Sequence, residues 1–131
     1  MTVKLNHTIV HARDQRASAD FYSEIFGFAK PRPFGPFLDV ETDNEVTLAI
    51  LETEEEIQAQ HYAFLVGEME FDAIFGRVKA RGLPYWADPG KRQAGAINRH
   101  FGGRGVYFED PSGHLLEIIT KPYGQWSDAG S

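Results

Sequence analysis

Tyr107-Phe-Glu-Asp-Pro-Ser-Gly-His-Leu-Leu-Glu-Ile118 reads as two strands folded back on each other. In Asp110-Pro111-Ser112-Gly113, Pro at the second position fixes φ and Gly stands at the fourth, the pattern of a type I turn. Gly105–Glu109 and Leu115–Lys121 supply the β-branched, aromatic and aliphatic residues of the strands on either side. Upstream, Pro84–Ala87 reads as a shorter strand. Before it, Phe71, Ile74, Phe75 and Val78 fall at i, i+3, i+4 and i+7, the apolar stripe of a helix that Gly82 stops. His61–Val66 is a strand ahead of that helix, so the order from His61 onward is strand, helix and three strands.

The first half repeats this order. Lys4–Ala12 reads as a strand. Asp14 is placed to cap a helix along which Ala17, Phe21, Ile25 and Phe28 recur, and Gly27 ends it. Pro31–Pro36 makes a stiff connection, and Phe37–Glu41 and Val46–Glu52 are strands joined by a turn at Asp43-Asn44. The acidic stretch Glu52–Gln60 has almost nothing to bury and serves as the linker. Two βαβββ modules result, residues 1–55 and 61–121, in one α+β domain with a loosely held tail over 122–131. His7 and His61 occupy equivalent places near the start of each opening strand.

A chain of 131 residues, 42% hydrophobic and 24% charged, is sized for one domain with its own core. No run approaches the roughly 18 apolar residues of a membrane span, and no apolar stretch near the N-terminus reads as a secretory signal, so a cytoplasmic protein is expected. Without cysteine there are no disulfides, thiolate nucleophiles or Cys-ligated zinc, which leaves His and carboxylates as the strong metal ligands. A net charge of −6 gives no support to nucleic-acid binding and favours a small-molecule partner.

Strand parity decides which side chains can meet. If the helices cover one face of the sheet, His61, Ala63 and Leu65 look the other way. Leu115, Glu117 and Ile119 share one face of the last strand, with Tyr107 on the side of Glu117. A carboxylate flanked by Leu116 and Ile118 needs a positive partner, because burying an isolated charge costs several kcal/mol. His7, His61 and Glu117 form a candidate set, since two imidazoles and a carboxylate leave open positions on an octahedral divalent ion such as Fe(II) or Mn(II). The other reading is of three unrelated side chains: a core histidine bonded to backbone, a rim histidine, and a glutamate paired with an arginine.

The paired modules, the opening Leu5-Asn-His-Thr-Ile-Val10, the central His61-Tyr-Ala-Phe64 and the closing Tyr107–Ile118 segment resemble the vicinal oxygen chelate superfamily. That superfamily includes glyoxalase I, bleomycin-resistance proteins, fosfomycin-resistance thiol transferases and extradiol dioxygenases. The resemblance implies that His7, His61 and Glu117 bind a divalent metal, with Zn, Ni or Co as alternatives to Fe(II) or Mn(II). It also implies that the modules form a curved mixed sheet around a metal-binding cavity, which many members assemble across a homodimer.

The spacing of Asn98, His100, Val106-Tyr107, Asp110-Pro111, Gly113 and Glu117 resembles the active-site motif of the extradiol enzymes. It implies that His100 and Tyr107 bond to the substrate beside the metal. A further histidine of those enzymes is missing, and Thr47 and Ala49 stand in its region. Glyoxalase I carries a fourth, usually carboxylate, ligand where Val46–Leu51 offers none. Fosfomycin enzymes carry a hydroxyl two residues after the first His and an Arg beyond the Glu, where Ile9 and Pro122-Tyr-Gly-Gln-Trp126 stand. A ring-cleaving dioxygenase is therefore expected first, with an isomerase or thiol transferase behind it. A metal-free, drug-sequestering protein is the alternative of another class.

Residues 88–105 contain five glycines together with Lys91, Arg92, Arg99 and Arg104. They read either as a lid that draws in an anionic or phenolate substrate or as a surface loop with solvated charges. His114, just after the turn, is expected at the surface or bonded to the turn backbone. His11 shares a face with His7 but lies about 13 Å further along, at ~3.3 Å per residue, and lines the rim. Tyr85, Trp86, Phe34 and Phe37 are pocket walls or packing residues.

Overall fold

The structure is a computed structural model that describes residues 2–124. The tail residue Trp126 and the segment 127–131 lie outside the described residues. Two βαβββ runs follow one another: β1 (His7–Ala12), α1 (Gln15–Phe26), β2 (Arg32–Phe34), β3 (Phe37–Glu41) and β4 (Thr47–Glu52), then β5 (His61–Leu65), α2 (Glu68–Ala80), β6 (Tyr85–Trp86), β7 (Gly105–Glu109) and β8 (Leu115–Ile119). Each run makes a four-stranded mixed sheet, in the order β1-β4-β3-β2 and β5-β8-β7-β6. The opening strand lies parallel to the last strand of its run, and the other pairs are antiparallel. No described helix is long and apolar enough to cross a membrane.

The chain divides into two compact units, one built on β1 to β4 with the turn Asp110–His114, the other on β5 to β8. In the first, the Asp14 carboxylate accepts from Ala17 N and starts α1, while Gly27, at φ 76°, takes the left-handed conformation that ends it. Phe21, Tyr22 and Ile25 are buried, and α1 packs on β1, β3 and β4. Val10, Ala12, Leu38, Val40, Leu48 and Ile50 complete this core. Each large side chain contributes about 1.5–3 kcal/mol by leaving water. In the second unit α2 buries Phe71, Ile74 and Val78, with Glu68 and Glu70 in its first turn and Arg77 and Lys79 in its last, both favourable to the helix dipole. Val106, Phe108, Leu116 and Ile118 are fully buried.

The structure corrects two expectations. Arg32–Phe34, inside the stretch read as a stiff connection, is the edge strand β2 paired with β3. An edge strand tolerates Pro33, whose missing N–H has no ladder to serve. His114 is not at the surface but 1% exposed. Its Nδ1 accepts from Gln60 N at 3.0 Å and its Nε2 donates to the His11 carbonyl at 2.8 Å, so the ring is locked by backbone on both sides. Asp110 completes this latch by accepting from Tyr22 OH at 2.7 Å, Ser112 N at 2.9 Å and His114 N at 2.9 Å.

Candidate functional site

Neighbouring strands of the second sheet bring His61, Tyr107 and Glu117 together. β7 and β8 pair Tyr107 with Glu117, and β5 pairs its first residue, His61, with Leu115. Glu117 Oε1 lies 3.0 Å from His61 Nε2, the glutamate side chain being 2% exposed. The imidazole stacks on the Tyr107 ring, with centroids 5.8 Å apart. Glu117 Oε2 accepts a hydrogen bond from Tyr123 OH, and the Tyr123 and Tyr107 hydroxyls are 3.1 Å apart. Burial pushes both phenols above the ordinary tyrosine range. At Tyr123 the bond to Glu117 adds to the rise, and at Tyr107 the bond to Tyr123 opposes it. Both phenols therefore remain protonated at neutral pH.

The hydrogen bonds around His61 test whether this pair suits a cation. His61 Nδ1 is 3.1 Å from the Leu115 carbonyl oxygen. A carbonyl only accepts, so Nδ1 carries a proton, and Nε2 either gives a second proton to the carboxylate oxygen or, in the neutral ring, presents its lone pair to it. Two acceptors at 3.0 Å need a proton or a metal ion between them. Two ligands at about 2.1 Å from an ion and about 90° apart would themselves be separated by about 3.0 Å. A backbone carbonyl on the other ring nitrogen is the usual outer support of a metal-binding histidine. The donor set therefore fits a divalent ion.

In the first unit, His7 begins β1 on the face opposite the buried Val10 and Ala12. Its Nδ1 lies 2.8 Å from Asn6 Oδ1, an acceptor, so Nε2 is the lone-pair nitrogen whenever the ring is neutral. Across the sheet His7 pairs with Thr47 and Thr47 with Glu41, while Ile9 pairs with Ala49 and Ala49 with Asp39. Ala49 thus holds the register position that Glu117 holds in the second sheet, and Asp39 that of Tyr107. Asp39 and Glu41 escaped the sequence reading, although Leu38 and Val40, buried on the helix side, set their parity. Burial raises the Asp39 carboxyl above its ordinary range; the like charge of Glu41 adds to this and His7 opposes it. A raised carboxyl weakens the fold at pH above both its values and is neutral in cost below them. Asp39→Asn should therefore stabilise the protein near pH 7, by about 0.5 kcal/mol or less, and not near pH 2. Urea unfolding at the two pH values checks this.

Among the described residues, no group of three or more His, Asp or Glu side chains gathers closely enough to hold a metal ion. His61 and Glu117 meet, and His7 stands on the open face of the other unit. A family model, the Glyoxalase/Bleomycin resistance protein/Dioxygenase superfamily, matches residues 4–118. The chain belongs to this superfamily. It is 58% identical to oxidase ChaP-H1, whose solved structure it matches with a TM-score of 0.92 over 94% of this chain and 99% of that one. Glutathione transferase FosA of Serratia marcescens is 28% identical over 125 residues, 90% of this chain and 81% of FosA. A FosX variant from Listeria monocytogenes, solved with Mn(II) and a dihydroxypropylphosphonic acid, shares the fold at a TM-score of 0.69 and 20% identity, over 95% of this chain and 98% of that one.

Other residues that the sequence singled out have different surroundings. The contacts of His100 run to the Phe101 ring and, through its backbone N–H, to Asn98 Oδ1, rather than to His61 or Glu117. Asn98 is buried and bridges Gly105, and its side-chain amide donates to the Ala87 carbonyl, so the base of loop 88–104 is pinned. Much of the loop's positive charge is engaged within the unit. Lys91 pairs with Glu109, and Arg104 forks onto Glu68 at 2.8 Å and Asp72 at 2.9 Å while covering the Phe71 ring. Arg104 holds the Glu68 carboxyl below its ordinary range. His114, with both ring nitrogens committed, has no lone pair to offer a metal. Tyr85 packs edge-on against Phe75.

Proposed function

We propose that this chain is a divalent-metal-dependent oxidase or dioxygenase acting on a small molecule with vicinal oxygens, with ring-cleaving dioxygenation of a phenolic substrate as the first reading. The observation that carries it is the 3.0 Å approach of His61 Nε2 to Oε1 of the buried Glu117, under an outer shell of carbonyl and phenol. The name oxidase, borne by a relative 58% identical over nearly the whole chain, favours oxidation over isomerisation or thiol transfer. In this reading His61 and Glu117 hold Fe(II) or Mn(II), and His7 is the third ligand.

A second copy of the chain is the source of His7. Apolar residues on the same open faces as the two histidines support this: Ile9 remains 43% exposed and Leu65 62% exposed in the single chain. When bound, the ion supplies Lewis acidity that lowers the pKa of a coordinated hydroxyl. The chain contributes the rest. Glu117 and the imidazoles set the ligand geometry, the Tyr107 hydroxyl turns from Tyr123 to a bound substrate and stabilises charge developing on its oxygen, and His100 hydrogen-bonds the substrate from the loop.

Anaerobic loading with Fe(II), followed by oxygen-electrode measurements with a catechol panel, tests the reaction. Uptake with at least one catechol is expected, and no uptake by protein that retains Fe(II) contradicts the reading. FosA supports a thiol transferase as the second reading. Glutathione consumption with fosfomycin, and none of oxygen, would favour it. Mixing His7→Ala with Glu117→Gln chains tests the shared site. Random pairing regenerates about a quarter of the wild-type sites if His7 comes from a second copy, and none if all three ligands belong to one chain.

A further inference from the structure

The two oxygens of Glu117 have different partners. Oε1 faces His61, and Oε2 accepts from the hydroxyl of Tyr123, which lies just beyond β8. An ionised carboxylate can only accept, so the single Tyr123 proton is directed at Glu117. The Tyr107–Tyr123 bond, at 3.1 Å, must then use the Tyr107 proton. The result is a directed chain from Tyr107 to Tyr123 to Glu117 Oε2.

A brace holds Tyr123 in this chain. Its ring packs on Phe101 with centroids 5.2 Å apart. Phe101 sits at φ 56°, a left-handed conformation unfavourable for a bulky side chain. The loop sustains it between the pinned Asn98–Gly105 base and Gly103, where an added Cβ would come within 2.6 Å of the Lys121 side chain. Strained, exposed aromatic residues need a compensating role. Here the Phe101 ring covers the Tyr123 ring.

We propose that Tyr123 is the positioning residue of Glu117: it occupies Oε2, so that Oε1 alone is turned toward His61 and the carboxylate serves as a one-oxygen ligand. This rests on the reading of Glu117 as a metal ligand. Hydrogen bonds to ligating carboxylates tune metal affinity, and losing such a partner typically lowers it 10–100-fold. Freed from Tyr123, both carboxylate oxygens can turn to the same ion.

The test is Mn(II) binding to the full chain, followed by electron paramagnetic resonance, in wild type, Tyr123→Phe and Tyr107→Phe. Tyr123→Phe keeps the ring and its packing on Phe101 and removes only the hydroxyl. It is expected to weaken Mn(II) binding about 10–100-fold and to change the spectrum of the bound ion. The far-UV circular dichroism should be that of the wild type. Tyr107→Phe, one bond further from Glu117, should weaken binding less. Unchanged affinity and spectrum in Tyr123→Phe overturn the proposal, and tighter binding does so by making Tyr123 a plug. An equal loss in both variants overturns it by showing a general disturbance of the aromatic cluster. Wild-type protein that binds no Mn(II) removes the ligand reading of Glu117 and this inference with it.

Discussion

Glu117→Gln is expected to abolish divalent-ion binding while leaving the metal-free fold as stable as wild type or more so. The two effects have one cause. Glu117 is 2% exposed, and a charge taken that far from water costs several kcal/mol unless it is matched. In the metal-free chain its partners are a phenol and an imidazole that can match the charge only by carrying a second proton, on Nε2. A glutamine amide can donate to that nitrogen and still accept from Tyr123, so the uncharged side chain satisfies both neighbours. It also removes an anionic ligand, and the loss of affinity should exceed the roughly 100-fold that removal of an outer-shell partner causes at most. Isothermal titration with Mn(II) and thermal unfolding with and without the ion check the pair of effects. Glu117→Gln protein that still gains stability from Mn(II) would show that the ion sits elsewhere.

Asp110→Ala should be the most damaging substitution for the fold itself. One carboxylate accepts from Tyr22 OH, Ser112 N and His114 N, at 2.7, 2.9 and 2.9 Å. Asp110 and Tyr22 are both buried, and the turn also holds the His114 ring between Gln60 and the His11 carbonyl. Hydrogen bonds to a carboxylate contribute about 1.5–3 kcal/mol each, and buried donors left unpaired cost about 1–3 kcal/mol. Since these bonds share one acceptor and are not additive, the expected loss is about 3–5 kcal/mol. That lowers the unfolding midpoint by on the order of 10 °C. Asp110→Asn keeps an acceptor for some of the donors and should lose about half as much. A midpoint for Asp110→Ala within about 2 °C of wild type would mean that the latch contributes little.

The legible parts of the fold are those written in local chemistry. Asp14 and Gly27 bracket α1 because a cap and a left-handed stop act within one turn. Alternation in His61–Leu65 and Leu115–Ile119 gave the faces of His61 and Glu117 because strand parity has no freedom. The features that escaped depend on distant partners. Nothing near His114 signals burial, since its bonds reach residues about half the chain and more away. Arg104 looked free because its carboxylates stand on α2, more than thirty residues earlier. Tyr123 lies past the last strand, where periodicity stops, and only the structure brings it to Glu117. Asp39 was visible by parity but had no partner in the sequence pattern to single it out. Pro33 hid β2, because proline marks an edge strand and a connection alike.

A Mn(II) titration of the full chain by electron paramagnetic resonance, in wild type, His7→Ala and His61→Ala, bears most directly on the metal site. One ion bound per chain in wild type, with binding lost or greatly weakened in each variant, is the result required of His7, His61 and Glu117 as joint ligands. An undiminished ion in His61→Ala, or no bound ion in wild type, would contradict it.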